Sequence, residues 1–559
     1  MKRLLCSGWV FLACVAPFFS GAQTASNVTI KVQADSPGKP YTPVWNYFGA
    51  DEPNYTYAPN GEKLLRELSA MSPAPVYIRV HNLLTTGSGD SSLKWGSTNA
   101  YREDAQGKPI YDWTITDRIF DAFRDTGVRP LVEVGFMPEA LSTHPEPYRH
   151  DFPKGDVFTG WSYPPKDYDK WSALVAAWSA HLHQRYGASV DDWLWEVWNE
   201  PDIPYWHGTA EEYDRLYDVT AAAIRASLPA AKIGGPESTG PYEDHPASGA
   251  FLRQFLEHCA RGKNAATGGT GAPLDFISFH PKGSPKIVDG HVQMSIAHQL
   301  RAIDAGMKIV ASFPEWKNTP IIMGENDPEG CAACGVRENP QNAYRNGPLY
   351  GVSVAEATAR AYELARLDGA NLQGSVTWAF EFENQPYFAG LRDLATNGID
   401  KPVLNVFRMW GMLGGAWLPV TSSGALPIKD LLDGAASRQS DVSAVATRHG
   451  REVDVLVWNY DDRDVAAPAS AVSLAIAGLH GRTFKVQEYM VDRDHANAYQ
   501  AWLTMGSPAA PTVNQRSTLL AQSRLVPMRK EELTNADGSA ALSFALQRQA
   551  VALFVLKEQ

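Results

Sequence analysis

Trp195-Glu-Val-Trp-Asn-Glu-Pro-Asp202 is the stretch on which the reading of this 559-residue chain turns. A short apolar strand runs into Asn199-Glu200, and Pro201 stops it because proline has no amide hydrogen to give a ladder. A carboxylate is thereby left at the C-terminal end of a strand. Pro320-Ile-Ile-Met-Gly-Glu-Asn-Asp-Pro328 repeats the pattern and delivers Glu325. Working outward, six further apolar stretches of similar length join these two (192–202 and 320–328): residues 45–54, 76–84, 129–138, 232–239, 274–283 and 374–384. Helical patterns lie between most of them. Ile119, Phe120 and Phe123 share a face before Gly127, Trp171, Leu174, Val175, Trp178 and Leu182 form a stripe, and Thr209-Ala-Glu-Glu212 reads as a capping box. Residues 354–367 make another helix, ended by Asp368-Gly369.

Eight strands alternating with helices between residues 44 and 415 predict an α/β fold of the closed (β/α)8 TIM-barrel type. Closure gathers the strand C-termini on one face, and the polar residues concentrate there: Arg79, His81, Glu133, Asn199, Glu200, His280, Glu325, Trp378, Glu381 and Glu383. After Gly414-Gly415 the pattern changes to short alternating segments, which predict a C-terminal antiparallel β-sandwich over 416–559. Residues 23–43 form an N-terminal segment whose Val28-Thr-Ile-Lys-Val32 is a candidate extra strand for it. No catalytic set is visible in that region, so its default role is structural.

The first 22 residues read as a secretory signal peptide: Lys2 and Arg3, an apolar run from Leu4 to Phe19, then Ser20-Gly21-Ala22. Cys14 is a weaker candidate lipoprotein site. The run is too short for a stable membrane anchor, so a secreted or periplasmic protein is expected. Cys331-Ala-Ala-Cys334 is a candidate local disulfide in such a compartment, with paired free thiols as the alternative. No set of four convergent Cys or His ligands suggests zinc, and no cofactor is implied. Lys plus Arg number 50 against 62 Asp plus Glu, a net charge of −12, which disfavours nucleic acid and anionic membrane partners. The 17 Trp and 22 Tyr suit the C–H faces of sugars, though they also suit cores. Oligomeric state is not legible.

Two carboxylates three strands apart on one barrel mouth meet the need of glycoside hydrolysis for an acid and a nucleophile flanking one bond, about 5 to 5.5 Å apart in retaining enzymes. Both start near a pKa of ~4.3. One must be raised to act as an acid, and shielding by Trp198 and Trp206 together with the neighbouring charge is the expected cause.

At this point the chain resembles glycoside hydrolase family 39, which contains β-xylosidases and α-L-iduronidases. The likeness runs from Tyr111-Asp-Trp-Thr-Ile-Thr-Asp117 and Leu131-Val-Glu-Val-Gly-Phe-Met-Pro138 through Trp198-Asn-Glu-Pro201, His280 and Glu325. It continues in Asp494-His-Ala-Asn497, Trp502 and Met505-Gly-Ser-Pro508. The resemblance implies Glu200 as acid/base, Glu325 as nucleophile and Asn199 as donor to the sugar 2-hydroxyl. It implies that Arg79, His81, Phe136, His280 and Trp378 line the sugar subsite, and Glu383 is grouped with them as substrate-binding. His280-Pro-Lys-Gly283 departs from the xylosidase pattern and is similar to α-L-iduronidase. Lys282, with Arg392, is therefore a candidate for a uronic acid carboxylate; the alternative is a solvated lysine or a partner of Glu381 or Glu383. The expected activity is an exo-acting β-xylosidase on oligosaccharides, with a uronidase as alternative and a non-catalytic glycan-binding protein as second alternative.

Overall fold

The computed structural model describes residues 26–378, 380–480, 483–534 and 538–559. The expected signal peptide, residues 1–22, lies outside the described residues. Eight parallel strands close into a barrel: β1 (Tyr47–Ala50), β2 (Tyr77–Val80), β3 (Arg129–Val134), β4 (Leu194–Val197), β5 (Lys232–Thr239), β6 (Phe276–His280), β7 (Ile321–Met323) and β8 (Leu372–Thr377). A principal helix follows each: α1 (Pro59–Ser69), α2 (Thr114–Thr126), α3 (Tyr168–Tyr186), α4 (Ala210–Ser227), α5 (Pro246–Arg261), α6 (Ile296–Ala311), α7 (Pro348–Asp368) and α8 (Pro402–Met412). The strands are buried nearly throughout because helices cover one side and the barrel core fills the other. Pairing between β6 and β7, with Ile277 opposite Ile321, completes the ring.

Local chemistry sets the helix ends. Gly127 and Gly369 stop α2 and α7 in the left-handed region, at φ 80° and 68°. Thr209 and Glu212 form the capping box that opens α4. Close approach is built in at the mouth: a Cβ on Gly49 of β1 would lie 2.0 Å from the Trp378 ring, so glycine there is what lets Trp378 lie across the barrel end.

Two sheets pack beyond the barrel. The six-stranded sheet is antiparallel and contains Asp441–His449, Glu452–Tyr460, Thr483–Val491 and Ala550–Glu558. The other has four strands, and Asn27–Gln33 is one of them, as Val28-Thr-Ile-Lys-Val32 suggests. This strand runs parallel to Ser470–Ala477, so the sandwich is not wholly antiparallel. Val28, Ile30 and Val32 point into its core beside Leu474 and Phe554. Among the described residues, no helix is long and apolar enough to cross a membrane.

Candidate active site

The ends of β4 and β7 bring Glu200 and Glu325 together. Glu200 follows β4 with its backbone in the left-handed region (φ 41°), as do Trp198 (φ 70°) and Glu237 (φ 56°). Such strain in residues with side chains persists only where the surroundings over-determine it. Here the Glu200 amide donates to the Glu237 carbonyl at 2.8 Å, and the Thr239 amide donates to Asp202 at 2.9 Å, locking the turn after β4 against β5. Both glutamates are almost fully buried.

Lys282 joins them. Its Nζ lies 2.6 Å from Glu200 Oε1 and 2.7 Å from Glu325 Oε2, so the ammonium occupies the gap between the two carboxylates. Ligating atoms of Glu200, His280 and Glu325 all fall within 4.8 Å of one another, but this lysine already supplies the cation that such a cluster attracts. The alternative pairing of Lys282 with Glu381 or Glu383 is not what the structure shows. Burial pushes the Glu200 carboxyl up, yet Lys282 and His280 outweigh it and hold it well below the usual carboxylate range. Glu325 is likewise drawn down to about 2, by Lys282 and then His280 against burial and the Glu200 charge. The expectation that aromatic shielding would raise one of the pair therefore does not hold with Lys282 between them. Trp198 packs instead on Phe136 and Trp206.

Beneath the pair lies Arg79, fully buried. Its guanidinium pairs with Glu196, lies 3.0 Å from Glu133, 3.3 Å from Glu237 and 3.5 Å from Glu325, and donates to Asn199 Oδ1 at 3.0 Å. One cation cannot neutralise four buried carboxylates. Burial accordingly pushes Glu133 and Glu196 well up, while Glu237, which also accepts from His280, is held at about 2 against the cost of burial. The Arg79 bond fixes Asn199 so that its amide nitrogen is the end left for another acceptor. His280 bridges Glu200 (Nδ1, 3.0 Å) and Glu237 (Nε2, 2.7 Å). Burial works to lower the His280 pKa, but the surrounding carboxylates raise it above the ordinary histidine value. Burial keeps His81 well below its ordinary value; its Nδ1 meets Glu133 at 2.5 Å.

A cavity of about 270 Å³ opens on Glu200 and Glu325, lined also by Lys282, Trp378 and Arg392. Arg392 Nη2 is buried without a hydrogen-bond partner. Phe136 and His81 line a small adjoining space. Glu383 is placed elsewhere: its carboxylate accepts from the Asn60 amide and side chain, both at 3.0 Å, at the start of α1. It is thus corrected from a substrate-binding residue to a helix-end anchor. Cys331 and Cys334 are joined as a disulfide in the loop after β7, and Cys331 borders the cavity. Asp51, Lys94, Tyr205 and Phe158 line the cavity without having been singled out in the sequence. Asp51 directly follows β1, so the strand-end argument applied elsewhere would have found it. No pattern marks Lys94 or Phe158, which reach in from long loops.

The family model described as Glycosyl hydrolases family 39 matches residues 28–538. The beta-xylosidase of Geobacillus stearothermophilus is 26% identical over 506 residues, 86% of this chain and 86% of that protein. The alpha-L-iduronidase of Mus musculus is 26% identical over 538 residues, 88% of this chain and 75% of that protein. A monomeric beta-xylosidase from Caulobacter crescentus CB15 superposes with a TM-score of 0.74 at 21% identity, covering 95% of this chain and 99% of that one.

Proposed function

The chain belongs to glycosyl hydrolase family 39, and from that premise we propose that it is an exported exo-β-xylosidase in which Glu325 is the nucleophile and Glu200 the acid/base. That it is a retaining glycoside hydrolase follows from the family; the sugar and the residue roles are the proposal. The observation that carries the reading is the meeting of both carboxylates at one point, Lys282 Nζ, beside a cavity of about 270 Å³, and the assignment of nucleophile and acid/base between them follows the family likeness.

Entry of the terminal sugar displaces Lys282 from between the carboxylates. Burial and the Glu325 charge then raise Glu200, which takes up a proton. Glu325 attacks the anomeric carbon while the bond to the leaving oxygen breaks, and Glu200 gives that oxygen its proton. Water next gives a proton to Glu200 and its oxygen to the anomeric carbon. The ester to Glu325 breaks and the sugar leaves with its original configuration. Asn199, held by Arg79, donates to the 2-hydroxyl, and Trp378 offers its face to the ring.

The test is hydrolysis of 4-nitrophenyl β-D-xyloside, with retention followed by NMR. Glu325→Ala should lose on the order of 10⁴-fold or more in kcat. No turnover of any aryl glycoside by folded protein would sink the reading. A second reading, uronidase, is favoured by Lys282 and the unpartnered Nη2 of Arg392 on one cavity, two cations suited to a carboxylate. It predicts faster turnover of an α-L-iduronide, lost selectively in Arg392→Met.

A further inference from the structure

The same cavity is lined by a second charged pair, Asp51 and Lys94. Asp51 is 4% exposed. Its Oδ1 accepts from the Trp378 indole at 3.1 Å and lies 3.5 Å from His81 Nε2. Its Oδ2 is buried and has no hydrogen-bond partner. The nearest cation, Lys94 Nζ, stands off at 3.5 Å and bonds instead to the Tyr205 hydroxyl at 3.2 Å. An ammonium has three hydrogens to give, so Lys94 is short of acceptors while Asp51 is short of a donor. A buried carboxylate oxygen without a donor is costly in a closed structure, yet both groups border open cavity. The lysine is not adventitious there. Its backbone is in the left-handed region (φ 57°), its amide is tied to Glu52, and Ser92 and Trp95 exchange backbone hydrogen bonds on either side of it.

The pair shares its cavity with the two catalytic candidates. His81 Nε2 lies 3.5 Å from Asp51 Oδ1 and 3.8 Å from Glu325 Oε1, so both carboxylates reach the same imidazole nitrogen and border one cavity. With the anomeric carbon at Glu325 and the 2-hydroxyl at Asn199, the hydroxyls left to face this end are those on carbons 3 and 4. A vicinal diol both accepts and donates, which is what an ammonium and a carboxylate together require. Tyr205 and Phe158 line the same cavity.

We propose that Asp51 and Lys94 form the site that recognises the 3- and 4-hydroxyls of the terminal sugar, with Asp51 accepting from one hydroxyl and Lys94 donating to the other. The proposal rests on the glycosidase reading above and holds for a xyloside or a uronide alike. Because both groups are tied to the ring end that carries no leaving group, they restrict the enzyme to chain termini.

The experiment pairs two variants, Asp51→Asn and Lys94→Met, with aryl glycosides lacking the 3- or the 4-hydroxyl. Removing one hydroxyl should cost the wild type roughly 10- to 100-fold in kcat/KM, the size of a hydrogen bond to a charged group. The same removal should cost the matching variant less than about threefold, because its partner is already gone. Equal penalties in wild type and both variants overturn the proposal. Lys94 sits on a loop and its replacement tests the pair if Asp51→Asn does not fold. Titration calorimetry of the free sugar and its deoxy forms makes the same comparison without turnover. A chain that hydrolyses nothing therefore overturns the catalytic reading, while the calorimetric cycle still decides this one.

Discussion

Glu237 shows how much of this site is made by residues that touch no substrate. Its carbonyl accepts the Glu200 amide and its carboxylate holds His280 Nε2 at 2.7 Å, so one residue fixes both the backbone and the imidazole partner of Glu200. Gly324 is what admits it, since a Cβ there would lie 1.8 Å from Glu237 Oε2. Removing the charge in Glu237→Gln takes an anion from His280, whose raised pKa then falls. His280 then gives up its second N–H at lower pH, and the limb of the kcat/KM profile that reports His280 should move to lower pH. A uniform loss across pH would mark Glu237 as packing only. The charged partners of Glu325 were legible because they lie at or beside the ends of strands, as His280 and Arg79 do. Glu237 was not, because nothing in Gly-Gly-Pro-Glu-Ser-Thr distinguishes a strand-end glutamate that turns inward from one that faces the helices.

At the scale of elements the barrel was readable because its strands are short apolar runs, several of them bounded by glycine or proline, and most are separated by helical patterns. What the pattern hides is length. Strand β7 spans only Ile321–Met323, where the apolar run suggests a longer strand, and the rest is loop that carries Glu325 and Asp327 to their partners. The same loss of register explains Glu383. Residues 374–384 read as one strand, but β8 ends at Thr377, and the chain beyond it turns Glu383 back onto α1. A carboxylate on the first-turn amide of a helix stabilises it through the orphan N–H groups. Glu383→Ala should therefore cost about 1 kcal/mol in urea unfolding and leave kcat/KM unchanged. A large fall in kcat/KM without a fall in stability would restore it to the substrate site.

Among the described residues, two sets of buried carboxylates respond to pH with opposite sign. Glu237 and Glu325 are held at about 2, so the stability they contribute is present above the unfolded value near 4.5 and is lost as pH falls below it. Asp327 and Asp454 are pushed up to about 6 and Glu356 and Glu381 to about 8, in each case by burial first. Their contribution is complete below the unfolded values near 4 and is lost as pH climbs through 6 and 8. His280, raised above its ordinary value, adds to the loss on the alkaline side. The two sets meet near pH 4.5 to 5, so Tm should peak on the acidic side of neutrality and decline between pH 6 and 9. Glu381 lies outside the cavity that holds Glu200 and Glu325, and accepts a hydrogen bond from the Gly398 amide. Glu381→Gln cannot ionise, and its Tm should match the wild type near pH 5 and exceed it at pH 9. Differential scanning calorimetry across that range reads the difference directly, and a wild-type Tm that rises from pH 6 to 9 would show that the raised set does not govern the stability of the fold.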